Sequence, residues 1–285
     1  MIFCMEFKRI SILGVGLIGG SVGLSCRKLP GNYHIKGYSH RPDELRRAVE
    51  RGAIDEATAD PAEAVAAADL VILCTPVGSF GKIMSTIAPA LRPGAIVTDV
   101  GSTKRSIVKL AAESLPSSVH FVGSHPMVGG EKHGIDHARA DLLAGGLCIV
   151  TPTETTNAEA LKAVEHFWLS LQMRTSRLSP EDHDRVTADI SHLPHLIAAA
   201  LVRMQKSESL PFAGRGFAEM TRIAAGDPVV WRDILLENRE NLKSGVGRLQ
   251  KELQVLVEHL DAGDAAAVQA WLECAASMKI NSDSR

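Results

Sequence analysis

The feature that most constrains this chain is a glycine turn set between a strand and a helix. After the β-branched run RISILG the chain reads Gly14-Val15-Gly16-Leu17-Ile18-Gly19, and a helix-compatible stretch follows. Gly14 allows a tight turn, Gly16 lets a pyrophosphate approach the backbone, and Gly19 lets helix and strand pack closely. The unpaired N–H groups of the helix N-terminus then face the phosphates. This order predicts a dinucleotide-binding βαβ unit in which Gly14, Gly16, Leu17, Ile18 and Gly19 contact the cofactor.

The pattern around the turn extends that unit into a whole domain. The runs RISILG, HIKGYS, DLVILCT, AIVTDV, HFVGSH, LCIVTP and MRTSRLS are each bounded by Gly, Pro, Asp or Ser, which punctuate turns. Between them, DELRRAVERG and NAEALKAVEHFWLSL repeat apolar residues at helical spacing, so they should pack against the sheet. The expected fold is α/β: an N-terminal Rossmann-type doubly wound, mostly parallel sheet over residues 1–178, followed by an all-α C-terminal domain over 179–285. Ligands of such a sheet bind beyond the carboxyl ends of its strands. Thr75 and Pro76 at the end of DLVILCTP join the cofactor-binding set, and Ser102 and His125 fall on the working side.

At 285 residues the chain is long enough for two cores. Apolar residues make up 45% and charged residues 22% of it, a globular balance. A net charge of -2 lacks the basic excess that nucleic-acid binding requires. Cys4, Cys26, Cys74, Cys148 and Cys274 are scattered and odd in number, which suggests neither a disulfide framework nor a zinc site. No apolar run approaches the roughly 20 residues that span a bilayer, and the expectation is a cytoplasmic protein.

The helical part opens on Ser179-Pro180-Glu181-Asp182, with an N-cap serine, proline in the first turn and acidic residues at the positive dipole end. Further on, Leu242, Val246, Leu249, Leu253, Leu256 and Leu260 form one apolar stripe on one long helix. Such a stripe fits an internal core and a subunit interface equally. His192 and His195 are three residues apart and share a helix face, whereas His183, nine residues before His192, falls on another. Pro194 should kink the helix beside them. Paired histidines also suit zinc, but no third ligand stands at a recognisable spacing, so a metal is not expected.

The second strand ends in Tyr38-Ser39-His40-Arg41. An NAD-specific site usually carries a carboxylate there to accept the ribose hydroxyls. With none present, Ser39, His40 and Arg41 are candidate partners for a 2′-phosphate. The cofactor is therefore expected to be NADP or NAD, with NADP favoured.

The segments GVGLIGGS, DVGSTK, GSHPM followed by GGEKHG, HDRVTADISHLPH and GFAEMTRIAAGDPVVWRDILLEN together resemble the prephenate and arogenate dehydrogenase family, in order and over nearly the whole chain. The resemblance implies an NAD(P)-dependent oxidative decarboxylation of prephenate to 4-hydroxyphenylpyruvate, or of arogenate to tyrosine. It further implies that His125 is the catalytic histidine, that Ser102 orients it and the substrate hydroxyl, and that His195 contacts the substrate with His192 and His183 in support. Arg222 matches the arginine that docks the substrate carboxylate, a task suited to a planar bidentate donor. Glu219, expected on the same helix as Arg222, is a candidate partner for the arogenate ammonium, and an arginine ion pair is the competing role. Trp231 matches a family position and reads as packing. The resemblance also favours a homodimer formed through the C-terminal helices.

Two rivals remain on sequence. β-Hydroxyacid dehydrogenases and imine reductases share the glycine turn, but typically carry a lysine where this chain has His183, His192 and His195. A non-catalytic redox sensor would bind the dinucleotide without turning over either acid.

Overall fold

The computed structural model describes residues 7–130 and 132–283. Cys4 and Glu131 lie outside them, as do the last two residues of the tail. Eight strands form one sheet: β1 (Arg9–Leu13), β2 (His34–Tyr38), β3 (Glu56–Thr58), β4 (Leu70–Leu73), β5 (Ile96–Asp99), β6 (His120–Pro126), β7 (Leu147–Thr151) and β8 (Arg174–Arg177). Their spatial order is β3-β2-β1-β4-β5-β6-β7-β8. Every neighbouring pair is parallel except β6 and β7. The mostly parallel, doubly wound sheet expected from the strand pattern is therefore present. Strand β3 alone escapes the sequence reading, because Glu-Ala-Thr is too short and polar to show a period.

Alternation along the central strands divides the core in two. Ile10, Ile12, Leu70, Ile72 and Ile96 point to one face, where α1 (Leu17–Cys26), α2 (Pro42–Glu50) and later α6 (Ala158–Ser170) bury Val22, Leu45 and Trp168. Leu13, Val71, Leu73 and Val97 point to the other, against α3 (Pro61–Val65), α4 (Phe80–Ile87) and α5 (Arg105–Ser114). A sheet apolar on both faces must be covered on both, as parallel sheets are.

The chain's direction reverses at the middle of the sheet. From β1 one crossover leads outward to β2, while β4 lies against the other side of β1. Their carboxyl ends leave the crevice at this switch point uncovered.

Beyond Arg177 the described residues hold no strand. Helix α7 (Pro180–Thr187) starts as expected, with the Ser179 hydroxyl accepting from Asp182 N. One π-helical turn, Ala188–His192, joins it to α8 (Leu193–Arg203). Helices α9 (Arg215–Thr221) and α10 (Pro228–Glu237) follow. By compactness these helices group with the sheet in a unit ending at Asn238, and a second unit runs from Arg239 to Arg285.

The second unit holds α11 (Arg239–Asp261) and α12 (Ala265–Asp283), with Gly263 at φ +60° in the turn between them. The whole predicted stripe from Leu242 to Leu260 lies on α11. Its distal members Leu253 and Leu260, with Leu272 and Met278 of α12, are exposed. No described helix is long and apolar enough to cross a membrane.

Candidate active site

A cleft of about 350 Å³ opens over the carboxyl ends of β1 and β4. Gly14, with φ at +109°, turns the chain sharply, and its N–H donates to the Tyr38 carbonyl at 2.8 Å. A Cβ on Gly14 would lie 2.7 Å from the Cys74 carbonyl carbon, and one on Gly19 would lie 2.1 Å from the Gly14 carbonyl oxygen. At Gly16 a Cβ would meet no protein atom within 4 Å. Gly14 and Gly19 are thus required by the fold, whereas Gly16 keeps clear a space that belongs to a ligand. Helix α1 begins there without a side-chain cap, so its first N–H groups are available to a diphosphate. The residues fit a nicotinamide dinucleotide.

Of the expected cofactor residues, Gly14, Gly16, Leu17, Ile18, Ser39, His40, Arg41, Thr75 and Pro76 line this cleft, while Gly19 packs beneath it. Glu44, which the sequence reading passed over, lines it too. Ser102 and Trp231 form part of the wall on the side of α10. Cys74 is also among the residues of the cleft, and burial raises the pKa of its thiol, as it does those of Cys26 and Cys148. Raised pKa values make these poor nucleophiles.

On the same edge of the sheet a buried imidazole cluster closes the end of β6. His125 is 7% exposed, and its Nδ1 lies 2.9 Å from His183 Nε2. His183 Nδ1 in turn lies 2.8 Å from Asp184 Oδ1. The Asp184 carboxylate accepts the backbone N–H groups of Lys104 at 2.7 Å and Arg105 at 3.0 Å, so α7 supplies the anion that caps α5. Beneath them Lys104 and Asp99 form a fully buried ion pair. Asp99 also accepts from the N–H groups of Gly101, at 2.8 Å, and Ser124, at 3.1 Å. This holds the backbone on either side of the cluster, since a buried carboxylate persists only when its lone pairs are used.

Burial, more than any neighbour, sets the protonation of the cluster. It lowers the pKa of His125 well below the usual imidazole value, and the nearby His183 and the Lys104 charge act in the same direction. His183 is lowered by burial against the opposing pull of Asp184. His192 is lowered to about 4, again chiefly by burial, with the backbone of Ser102 beside it. All three are neutral at neutral pH.

Three sequence expectations meet a different geometry. His183 and His192 both enter the buried cluster rather than parting to separate sides: His183 holds His125 at 2.9 Å and adds to burial in lowering the pKa of His192, whose Nδ1 lies 3.1 Å from Asn238 Nδ2. The π-helical turn between them inserts a residue per turn and rotates His192 back towards His183. This turn, not a kink at Pro194, is the irregularity in the helix; Pro194 sits in the first turn of α8. The partner of His125 is His183 rather than Ser102, whose side chain is half-buried at the cleft wall.

His195 is buried and stacks on Trp231 with ring centroids 3.4 Å apart and planes 11° from parallel. Gly226 makes room, because a Cβ there would lie 2.5 Å from the Trp231 Nε1. Trp231 is therefore both packing and cleft wall. Among the described residues, His195 Nδ1 is buried without a hydrogen-bond partner, a group that calls for a polar ligand atom.

Arg222 does not face the main cleft. It lines an adjoining hollow of about 370 Å³ with Arg51, Arg139 and Lys132, and the two spaces share Leu17, Gly130 and Lys132. Helix α9 ends at Thr221 and Arg222 opens a 3₁₀ turn, so Glu219 and Arg222 do not share one regular helix as expected. Glu219 is exposed and lines neither space.

Lys104, Asp99, Asp184 and Asn238 were not singled out from the sequence. The readable signals were slight: a lysine just after a strand end and an aspartate directly following a histidine. Among the described residues, no group of three or more His, Cys, Asp or Glu is arranged to hold a metal ion.

Comparison with known proteins agrees with this architecture. Residues 22–176 match the family description "Prephenate dehydrogenase, nucleotide-binding domain", and residues 179–274 match "Prephenate dehydrogenase, dimerization domain". The chain is 34% identical to a prephenate dehydrogenase of Bacillus subtilis, covering 90% of this chain and 71% of that one. It is 36% identical to a cyclohexadienyl dehydrogenase of Zymomonas mobilis, covering 81% of each. A crystal structure of prephenate dehydrogenase from Aquifex aeolicus, in complex with hydroxyphenyl propionate and NAD+, superposes with a TM-score of 0.91 at 34% identity, covering 97% of this chain and 99% of that one. With a glycine-turn cleft, a buried imidazole cluster and family matches that together span most of its length, the chain belongs to the prephenate dehydrogenase family.

Proposed function

We propose that this protein catalyses the NAD(P)-dependent oxidative decarboxylation of prephenate, arogenate or both, and that His125 is its proton acceptor. The observation that carries this reading is the hydrogen-bonded series His125–His183–Asp184 on the sheet edge that also forms the dinucleotide cleft. Both Asp184 oxygens accept backbone N–H groups, and the carboxyl takes the acceptor role towards His183 as well. His183 must then carry its proton on Nδ1 and offer the Nε2 lone pair. His125 consequently donates from Nδ1, which leaves its own Nε2 lone pair for a substrate proton.

NAD(P) supplies the hydride acceptor: the carbinol carbon gives up hydride, the ring carboxylate departs as CO2, and its bonding pair completes the aromatic ring. The protein has only to remove the hydroxyl proton and hold the acid groups. A neutral His125 suits the first task. His195 and Arg222 are assigned to the second, with His192 in support, Ser102 towards the hydroxyl, and Glu219 towards the arogenate ammonium. Ser39, His40 and Arg41 support use of NADP. The exposed apolar side chains on α11 and α12 support pairing of two copies into a homodimer.

The test crosses prephenate and arogenate with NAD+ and NADP+ while following reduced-nicotinamide absorbance, with wild type and Glu219→Gln. Turnover of at least one pairing is expected. Dinucleotide binding without turnover of either acid would refute the reading, and an unchanged substrate ratio in Glu219→Gln would remove that residue from it.

A further inference from the structure

The cofactor cleft carries a carboxylate that its strand lacks. Strand β2 ends at Tyr38, and Ser39-His40-Arg41 lead into α2, whose first turn contains Glu44. The Glu44 N–H bonds the Arg41 carbonyl at 3.1 Å, which folds this turn back over the strand end. Its side chain takes the Ser39 hydroxyl at 3.3 Å and the Arg41 guanidinium at 3.1 Å. The Glu44 side chain is only 15% exposed, whereas that of Arg41 is 62% exposed. Both residues line the cleft.

Resting on the reading of this cleft as the nicotinamide dinucleotide site, we propose that Glu44 sets the choice between NAD and NADP, with Arg41 as its counterweight. A carboxylate beside Ser39 can accept ribose hydroxyls, the work usually done by an acidic residue at the strand end. The same charge opposes a 2′-phosphate, a dianion that the paired Arg41 guanidinium is placed to offset. An exposed arginine is loosely held in such a pair, so it can leave Glu44 for a phosphate. The site therefore accepts both cofactors, and removing either partner tilts it in opposite directions.

The experiment measures NADH and NADPH affinity by nicotinamide fluorescence, and kcat/KM with NAD+ and NADP+, for wild type, Glu44→Gln and Arg41→Ala. Glu44→Gln should raise the NADPH:NADH affinity ratio roughly tenfold, the size of one like-charge contact at a wet rim. Arg41→Ala should lower it by a similar factor. A ratio within about twofold of wild type in Glu44→Gln, or a shift in the same direction in both variants, overturns the proposal. If neither acid is turned over, the proposed reaction fails while the binding ratio still decides this question.

Discussion

The dinucleotide end of the site is built from backbone, and the imidazole end from side chains. At the first, Gly14 and Gly16 form the turn and Gly19 lies in the first turn of the helix that follows within the same short stretch, and the ligand-facing groups are N–H donors that need no side chain. At the second, Asp99, Lys104, His125, His183, Asp184, His192 and Asn238 come from five stretches of the chain and are buried together. The difference predicts opposite responses to mutation. A change at the backbone end can abolish binding while the fold stands, because the space it fills belongs to the ligand. A change in the imidazole cluster perturbs chemistry and stability at once, because each group satisfies another.

The sharpest way to break this contrast is Gly16→Val. No protein atom opposes a side chain there, so the thermal midpoint should hold within a few degrees while NADH binding, followed by fluorescence, falls at least about 100-fold. A large loss of stability instead would mean that Gly16 serves the fold as Gly14 does. Of comparable size is His125→Asn, which should lower kcat by roughly 10²- to 10⁴-fold with little change in KM. Arg222→Ala should do the reverse, raising KM for the acid more than it lowers kcat; equal losses in both variants would erase the proposed division of labour.

A smaller effect separates positioning from packing. His183→Ala should reduce kcat about 10- to 100-fold by freeing the His125 ring, and His183→Gln, which retains a hydrogen-bonding group, should recover part of it. Failure of Gln to outperform Ala would make His183 a packing residue only.

A different kind of effect is expected in the pH dependence of stability. His192 titrates near an ordinary imidazole value when unfolded but at about 4 when folded, so between these values the unfolded chain binds the extra proton. Stability should therefore fall as pH drops from about 6.5 towards 4, by about 1.4 kcal/mol per unit for this one group. Chemical denaturation across that window measures it, and a flat profile would show that the cluster is not held neutral. For the same reason the acid limb of kcat/KM should lie below the usual imidazole range.

How much of this was legible depended on distance along the chain. The glycine turn, the strand run, the Ser179 cap and the α11 stripe are each written within a few residues, in periods and turn chemistry that survive without a partner. His125, His192 and His195 could be named from the segments that resemble a family, but not their partners. Asp184 stands next to His183 in sequence, yet its carboxylate is occupied by backbone N–H groups 79 and 80 residues away. Glu44 was hidden for a related reason: the expected carboxylate was sought on the strand, whereas the first helical turn delivers one to the same place.

By itself, then, the sequence determined the doubly wound sheet, the cofactor turn and the helical continuation, because local backbone preferences and apolar periods specify them. Tertiary structure alone decided which imidazole holds which. Burial of a charge or a ring depends on what packs over it from distant segments, and a single π-helical turn changes which face a histidine presents. Neither has a signature in the residues that carry it.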